Sequence, residues 1–341
     1  MSIRIGVNGF GRISRVVLRI AAENPEEFEI AAINYRDVDL DYMVYMLKYD
    51  SVYGRFNGTV EPYRDEGEQG ILLNGKKIPV IEGMEPIPWG KYGAEYIIEG
   101  TGKFNTTEKA QIHIKGGAKK VIITAPAKDD ETPTFVIGVN HKDYKKEMTV
   151  VSNASCTTNC LAPVAKVLQE TFGIRQGLMS TIHSATAKQH VVDMRSKSDW
   201  RRGRSVFENI IPTTTGAAKA VGRVLPEVAG KLTGIAYRIP SADVSLVDLN
   251  ISLEHKASKE DICAAMKKAA EGEMKGVLGY TEDPIVSADI LAEPCTSVFD
   301  ATQCTVINDS LVKVLAWYDN EYGYSKKVLE LISYMAQVDR A

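Results

Sequence analysis

The sequence predicts an α/β fold: a doubly wound parallel sheet in the first half, followed by an α+β second half. Three observations predict it. A short apolar run at the N-terminus passes through a glycine turn into a periodic helix and then a second strand. Short strands and helical stretches keep alternating up to Val151. Beyond that point two longer runs, 244–253 and 311–318, alternate apolar and polar residues as half-buried strands do.

Composition bounds the chain before any motif is read. Its 341 residues are enough for two domains, each with its own core. A net charge of −3 gives no basic field, so neither nucleic acid nor an anionic membrane is an expected partner. No apolar run reaches membrane-spanning length, and the first strand starts at Ile3 without a signal peptide, so a cytoplasmic protein is expected. Five cysteines, odd in number and thinly spread, fit a reduced thiol protein better than a disulfide scaffold, and no metal site is expected.

The first strand, Ile3–Asn8, leads into Gly9-Phe10-Gly11-Arg12-Ile13-Ser14 and a helix that begins near Val16. Glycines there let the backbone approach a pyrophosphate resting on the helix N-terminus, which is the Rossmann dinucleotide fingerprint. Ser14 stands where the third glycine belongs, so a looser helix–strand contact is expected. The second strand ends at Asn34-Tyr35-Arg36, where a carboxylate for the ribose 2′-hydroxyl of NAD is expected; the nearest acids are Asp37 and Asp39. Without that carboxylate nothing repels a 2′-phosphate, and Arg36 can pair with one. NADP is therefore favoured over NAD, the other reading being an Arg36 that only meets solvent. Strand 96–99 ends in Gly100-Thr101-Gly102 and strand 121–123 in Thr124, on the edge where such sheets bind ligands. Thr101, Gly102 and Thr124 are candidate cofactor neighbours, or structural turn residues. Between them 106–116 reads as a helix, with His113 solvated or at the core edge; His141, His190 and His255 are read the same way.

The next strand, 148–151, hands over to Ser152-Asn-Ala-Ser-Cys156-Thr-Thr-Asn-Cys160-Leu-Ala-Pro163 and then to a helix from Val164. Free N–H groups and the dipole at a helix N-terminus lower a thiol's pKa. Cys156 is thus a candidate nucleophile; the alternatives are a buried structural cysteine or a Cys156–Cys160 disulfide. His183 closes the strand 177–183, where an imidazolium would stabilise a thiolate, although sequence separation alone shows no contact.

These motifs together resemble the phosphorylating glyceraldehyde-3-phosphate dehydrogenases. The resemblance covers the whole chain and rests on Asn8–Ile13, Lys48–Ser51, Ser152–Pro163, Asn209–Ala220, Gly230–Gly234 and Trp317–Ser325. It implies a cofactor domain of residues 1–154 and 319–341, and a catalytic and oligomerisation domain of 155–318 with a mostly antiparallel sheet. It implies a homotetramer acting in glycolysis. The reaction implied is oxidation of glyceraldehyde 3-phosphate with inorganic phosphate to 1,3-bisphosphoglycerate, through a Cys156 thioester, with His183 taking the proton and NADP or NAD the hydride. The resemblance carries Thr186 and Arg238 to the substrate phosphate, and Ser155, Thr157, Arg202, Thr215 and Gly216 to the attacking one. It carries Asn320 to the nicotinamide carboxamide, with Tyr324 nearby, and places the loop 185–204 beside a neighbouring subunit's cofactor, so Arg195 is a second candidate for a 2′-phosphate.

Other readings stay open on the residues themselves. Arg238 could sit in an internal salt bridge to Asp243, and Thr213–Gly216 could merely cap the helix that follows. Ala185 and Ser241-Ala-Asp243 depart from the family pattern and bear on aldehyde preference. Erythrose-4-phosphate dehydrogenase is the rival enzyme, and a nucleotide-binding redox sensor or RNA-associated protein without catalysis the rival of another class. Cys263 is read as packing on the helix 259–270; Cys295 and Cys304 carry no motif.

Overall fold

The computed structural model describes every residue except Met1, Met84 and Ser198. The chain forms two compact units: Met1–Phe135 with His141–Ala154 and Ser325–Ala341, and Val136–Asn140 with Ser155–Tyr324.

The first unit runs β1 (Ile3–Asn8), α1 (Arg12–Glu23), β2 (Phe28–Tyr35), α2 (Leu40–Lys48), a short hairpin of β3 (Tyr49–Asp50) and β4 (Gly54–Arg55), then β5 (Val60–Asp65), β6 (Glu68–Leu73) and β7 (Lys76–Glu82). It continues with α3 (Trp89–Tyr92), β8 (Tyr96–Glu99), α4 (Thr107–Lys115), β9 (Lys120–Ile123) and β10 (Val150–Ser152). The sheet order is β10-β9-β8-β1-β2-β7-β6-β5. All pairs from β10 to β7 are parallel, and β6 and β5 add an antiparallel edge. Strands β8 and β9 are buried along their whole length, as a parallel sheet covered on both faces requires. Strand order reverses at β1, between β2 and β8, which opens a crevice at their C-terminal ends.

The glycine turn sits at that crevice. Gly9 has φ +102°, and a Cβ there would lie 3.2 Å from Thr101 N, so only glycine fits. Helix α1 starts at an uncapped Gly11 with no acid in its first turn, leaving its N–H groups for an anion. The looser contact expected at Ser14 is corrected: Ser14 is 1% exposed and packs against Gly100, where an added Cβ would lie 2.2 Å from Ser14 Oγ. The missing glycine of α1 is replaced by one on the facing strand end.

The second unit begins with α5 (Cys156–Phe172) and β11 (Ile174–His183), followed by β12 (Ile211–Thr214), α6 (Ala217–Val224), β13 (Leu232–Arg238), β14 (Ser245–Leu253), α7 (Lys259–Glu271), β15 (Leu278–Thr281), β16 (Ser297–Asp300), β17 (Thr305–Ile307) and β18 (Leu311–Tyr318). Its sheet is ordered β12-β13-β11-β14-β18-β16-β15, with β17 on β18. Only β11–β13 and β15–β16 are parallel; the other pairs are antiparallel. Helix α8 (Tyr322–Arg340) ends the chain and passes into the first unit at Ser325.

Helix α5 already starts at Cys156, not at Val164 as the pattern suggested, and carries Pro163 inside it. An interior proline costs about 3 kcal/mol. Leu161, Val164, Val167 and Leu168 are all at most 5% exposed. At about 1.5–3 kcal/mol for each buried side chain, their burial outweighs the proline. Similarly β11 starts at Ile174 rather than Gly177.

Gly6 in β1 marks a close helix–sheet approach: a Cβ would lie 2.9 Å from two atoms of the buried Trp89 ring and 2.7 Å from Ile97 Cδ1 of the neighbouring strand. Gly6→Ala is expected to destabilise the chain by about 1–3 kcal/mol through overpacking. Gly11→Ala, which meets nothing closer than 3.9 Å, is expected to leave the urea midpoint close to that of the parent. Equal midpoints for the two variants would contradict this packing.

Candidate active site

Cys156 is the first residue of α5, and Ser155 caps it: Ser155 Oγ accepts from Thr158 N at 3.1 Å. His183 ends β11 and is 4% exposed, with Nε2 3.5 Å from Cys156 Sγ. The parallel register of β11 and β13 places Arg238 beside His183. Arg238 Nη1 lies 2.6 Å from His183 Nδ1 and 3.0 Å from the Ser184 carbonyl oxygen, which is itself 2.9 Å from Nδ1. A guanidinium only donates, so Arg238 and Ser184 O compete for Nδ1 and thereby set the tautomer at Nε2.

Burial and the Arg238 charge together push the His183 pKa down to about 3, so the imidazole is neutral through the ordinary pH range. Burial pushes the Cys156 thiol up, opposed by the Arg238 charge and the Thr157 N–H. The expected imidazolium–thiolate pair is therefore corrected. Burial acts against both charged forms, and on Cys156 it outweighs the Arg238 charge and the Thr157 donors. The disulfide alternative is also excluded: Cys156 and Cys160 are both free, and Cys160 Sγ is turned to Ser297 Oγ and Ala316 O, 3.8 Å from each.

Two further side chains frame the pair. Tyr318 is a residue that motif reasoning missed. Its hydroxyl meets Thr157 Oγ1 at 3.0 Å and Thr181 Oγ1 at 2.9 Å, and its ring stands edge-on to His183 at 5.9 Å. The signal was its inward position in the alternating strand β18. Asn320 Oδ1 accepts from Ser184 Oγ at 2.8 Å and Ser245 Oγ at 2.7 Å, which fixes its amide nitrogen as the opposite end. Tyr324 is buried in the first turn of α8.

The residues carried to the anion sites are held as follows. Among the described residues, the buried Arg238 Nε has no hydrogen-bond partner. The Arg238 pKa is pushed down by burial and, among smaller causes, by the like charge of Arg202. Arg202 Nε donates to Thr213 Oγ1 at 2.9 Å and pairs with Asp199 at 3.5 Å. Asp243 Oδ1 accepts from Val244 N, while Arg238 Nη1 donates to the Ser184 carbonyl oxygen. Thr215 Oγ1 accepts from Ala217 N at 3.2 Å, and Gly216 is the N-cap of α6, so capping and anion binding draw on the same turn. Thr186 N and Oγ1 both donate to Gln189 Oε1, at 2.9 and 2.8 Å. The loop 185–204 is irregular apart from a 3₁₀ turn at Trp200–Gly203; Arg195 is exposed, and Ser198 lies outside the described residues.

In the first unit the crevice is a cleft of about 850 Å³ lined by Gly9, Phe10, Gly11, Asn34, Tyr35, Arg36 and Thr101, a volume in the range of cofactor sites. Tyr35 packs on Phe10 at 5.8 Å, and Arg36 is exposed at the rim. Arg12, Ile13, Gly102 and Thr124 lie outside this lining. Arg12 is ion-paired with Asp50, and Thr124 Oγ1 donates to the Glu99 carbonyl at 3.0 Å. The uncapped helix, the glycine turn and the orphaned Asn34 Oδ1 fit a dinucleotide. His113 is corrected: it is fully buried, 3.0 Å from Glu99 Oε2 and 3.1 Å from Trp89 Nε1, rather than solvated or at the core edge. No helix of the described residues is long and apolar enough to cross a membrane.

Residues 3–107 match the family model for the NAD binding domain of glyceraldehyde 3-phosphate dehydrogenase, and residues 155–320 match its C-terminal domain. A glyceraldehyde-3-phosphate dehydrogenase of Escherichia fergusonii is 55% identical, covering 99% of this chain and 100% of its own. One of Mucor circinelloides is 54% identical over 100% of both chains. A chloroplastic one of Arabidopsis thaliana is 52% identical over 98% of this chain and 78% of that one. With a two-domain match and relatives this similar over their full common length, the chain belongs to the glyceraldehyde-3-phosphate dehydrogenase family.

Proposed function

We propose that the chain oxidises glyceraldehyde 3-phosphate, in the presence of inorganic phosphate, to 1,3-bisphosphoglycerate. The observation that carries this reading is the 3.5 Å approach of Cys156 Sγ to His183 Nε2, with Arg238 behind the ring. With its proton on Nδ1, donated to the Ser184 carbonyl oxygen, the neutral imidazole keeps Nε2 free as the base nearest the thiol. As the thiol proton passes to His183, the sulfur adds to the aldehyde carbon, and His183 returns that proton to the former carbonyl oxygen, which gives a hemithioacetal and leaves the imidazole neutral again. His183 then takes the hydroxyl proton while the carbon–hydrogen bond breaks. A bound nicotinamide supplies the hydride acceptor. The resulting thioester on Cys156 is cleaved by inorganic phosphate, which returns the sulfur as the leaving group. Water would compete with phosphate, and the near-complete burial of His183 limits its entry.

Two anions must be held close to the same carbon chain. Arg238 with Thr186 serves the substrate phosphate; Arg202, Ser155, Thr157, Thr215 and Gly216 serve the attacking one. What supports this is the mutual repulsion of Arg238 and Arg202, which an anion relieves, and the orphaned Arg238 Nε.

The first unit takes the dinucleotide, with its pyrophosphate on α1, and the amide nitrogen of Asn320 takes the carboxamide. NADP is the favoured cofactor. Tyr35 replaces a carboxylate at the end of β2, and the exposed Arg36 can meet a 2′-phosphate; Arg195 of a neighbouring copy is a second contact. The homotetramer is part of this proposal, and exposed apolar side chains in the second unit support self-association: Leu178 and Ile235 on one face of β11 and β13 are 64% and 42% exposed, and Ile210, Phe207 and Trp200 are more than half exposed. The compartment proposed is the cytoplasm.

Four outcomes test this reading. Cys156→Ser is expected to lose at least about a thousandfold in turnover while cofactor binding persists, and reduction of the cofactor by the parent is expected to need inorganic phosphate; phosphate-independent turnover would contradict the acyl-phosphate step. Arg238 favours the deprotonated forms of both neighbours. Arg238→Leu should therefore raise the His183 pKa, read by NMR, and raise that of Cys156, read from the pH dependence of alkylation; a shift in the other direction refutes the electrostatic role. Arg36→Ala is expected to cut the ratio of kcat/KM for NADP over NAD about tenfold, the worth of one charge-assisted contact. An unchanged ratio removes Arg36 from the site.

A further inference from the structure

A chain of buried hydrogen bonds in the first unit has a single direction. The indole of Trp89 can only donate, so its 3.1 Å contact makes His113 Nδ1 the acceptor. The ring proton is then on Nε2, which donates to Glu99 Oε2 at 3.0 Å. The same Oε2 accepts from Asn8 Nδ2 at 2.5 Å, while Oε1 accepts from Thr101 N at 2.8 Å and from Thr101 Oγ1. With its nitrogen committed to Glu99, Asn8 can offer Asn34 only its oxygen, and Asn34 Nδ2 donates to it at 2.8 Å. The orientation of an isolated amide is a matter of choice; here it is dictated link by link. Trp89, His113, Glu99, Asn8 and Asn34 are all at most 6% exposed, so water does not loosen the order. At the end of the chain Asn34 lines the cleft, with an Oδ1 that has no partner among the described residues.

We infer that Glu99 is a positioning residue for cofactor selectivity: it fixes Asn34 with its acceptor oxygen toward the adenosine ribose of the dinucleotide. This rests on the cofactor occupying this cleft, as proposed above. An amide oxygen accepts a ribose hydroxyl, as the carboxylate expected at the end of β2 would, but carries no charge to repel a 2′-phosphate. It gives the chain an acceptor for the ribose that is compatible with NADP. Reversing the chain would present the amide nitrogen instead, which suits a phosphate oxygen and not a hydroxyl that must donate.

Glu99→Gln attempts that reversal. Thr101 N still needs an acceptor, so the new amide must keep its oxygen there and turn its nitrogen toward Asn8 Nδ2 and His113 Nε2. Asn8 and Asn34 can flip, but His113 cannot move its proton while Trp89 donates to Nδ1. Glu99→Gln alone is thus expected to weaken equilibrium binding of both NAD and NADP about tenfold, measured by calorimetry. Adding Trp89→Phe frees Nδ1 to carry the proton and lets Nε2 accept. The double variant is expected to recover NADP affinity to within about threefold of the parent but not NAD affinity, raising the NADP-over-NAD binding ratio about tenfold.

A merely structural network predicts the opposite, since the second substitution would add a second loss. Recovery for neither cofactor, or for both equally, overturns the inference. Should the Glu99 variants fail to fold by circular dichroism, Asn34→Leu reads the end of the chain directly: about tenfold weaker binding of NAD is expected, and unchanged binding overturns the inference. A parent that binds neither NAD nor NADP overturns the cofactor reading itself, whereas a parent that binds either one with a ratio insensitive to these substitutions sinks only the role of Glu99.

Discussion

The contact on which the candidate site depends is that of Arg238 with the inner edge of the His183 ring. It is a product of one parallel register, β11 against β13, in a sheet whose other long pairings are antiparallel. That register puts a charge 2.6 Å from Nδ1 of an imidazole that is 4% exposed. A like charge and desolvation act in the same direction on a histidine, and the ring is neutral as a result. On the thiol the two act in opposite directions, because a guanidinium favours a thiolate while burial disfavours it. One arginine therefore makes its two neighbours a base and a latent nucleophile, and couples both to whatever anion it binds.

What the sequence made legible was local. The glycine turn before α1, the cysteine at the start of α5 and the histidine at a strand end are each written within a few residues. The family resemblance then supplied partners that no spacing shows. What was not legible came from long-range register. Glu99 and His113 meet because α4 folds back over the end of β8, and Tyr318 reaches Thr157 and Thr181 across 161 and 137 positions. The direction of the Cys156 shift was misjudged for the same reason: a helix terminus is visible in sequence, whereas the burial that outweighs it is a property of the assembled unit. Ser14 misled in a smaller way, because the glycine that makes room for it is Gly100, on another strand.

Element boundaries show the same competition. The pattern rule that places a helix after Pro163 is sound for an exposed segment. In α5 it loses to burial, since Cys160, Leu161 and Ala162 before the proline are fully buried, as are Val164 and Ala165 after it at no more than 1% exposed. Packing here decides where the helix starts, and so decides that Cys156 stands on its first turn instead of in a loop upstream of Val164. The chemistry of the thiol is in this sense a consequence of core formation rather than of the motif around it.

Each candidate site, in a different unit, holds a buried polar atom with no partner among the described residues. Arg238 presents a buried donor, Nε, and a like-charge neighbour in Arg202; Asn34 presents a buried acceptor, Oδ1. Each orphaned polar group costs the free chain about 1–3 kcal/mol. A fold selected for stability alone would pair them or replace them with apolar side chains. A donor among positive charges is suited to a phosphate oxygen, and an uncharged acceptor beside a glycine turn to a hydroxyl next to a pyrophosphate. The polarity of these two atoms thus agrees with the ligands proposed for their sites, and for Asn34 it is set by the chain's own hydrogen-bond ordering.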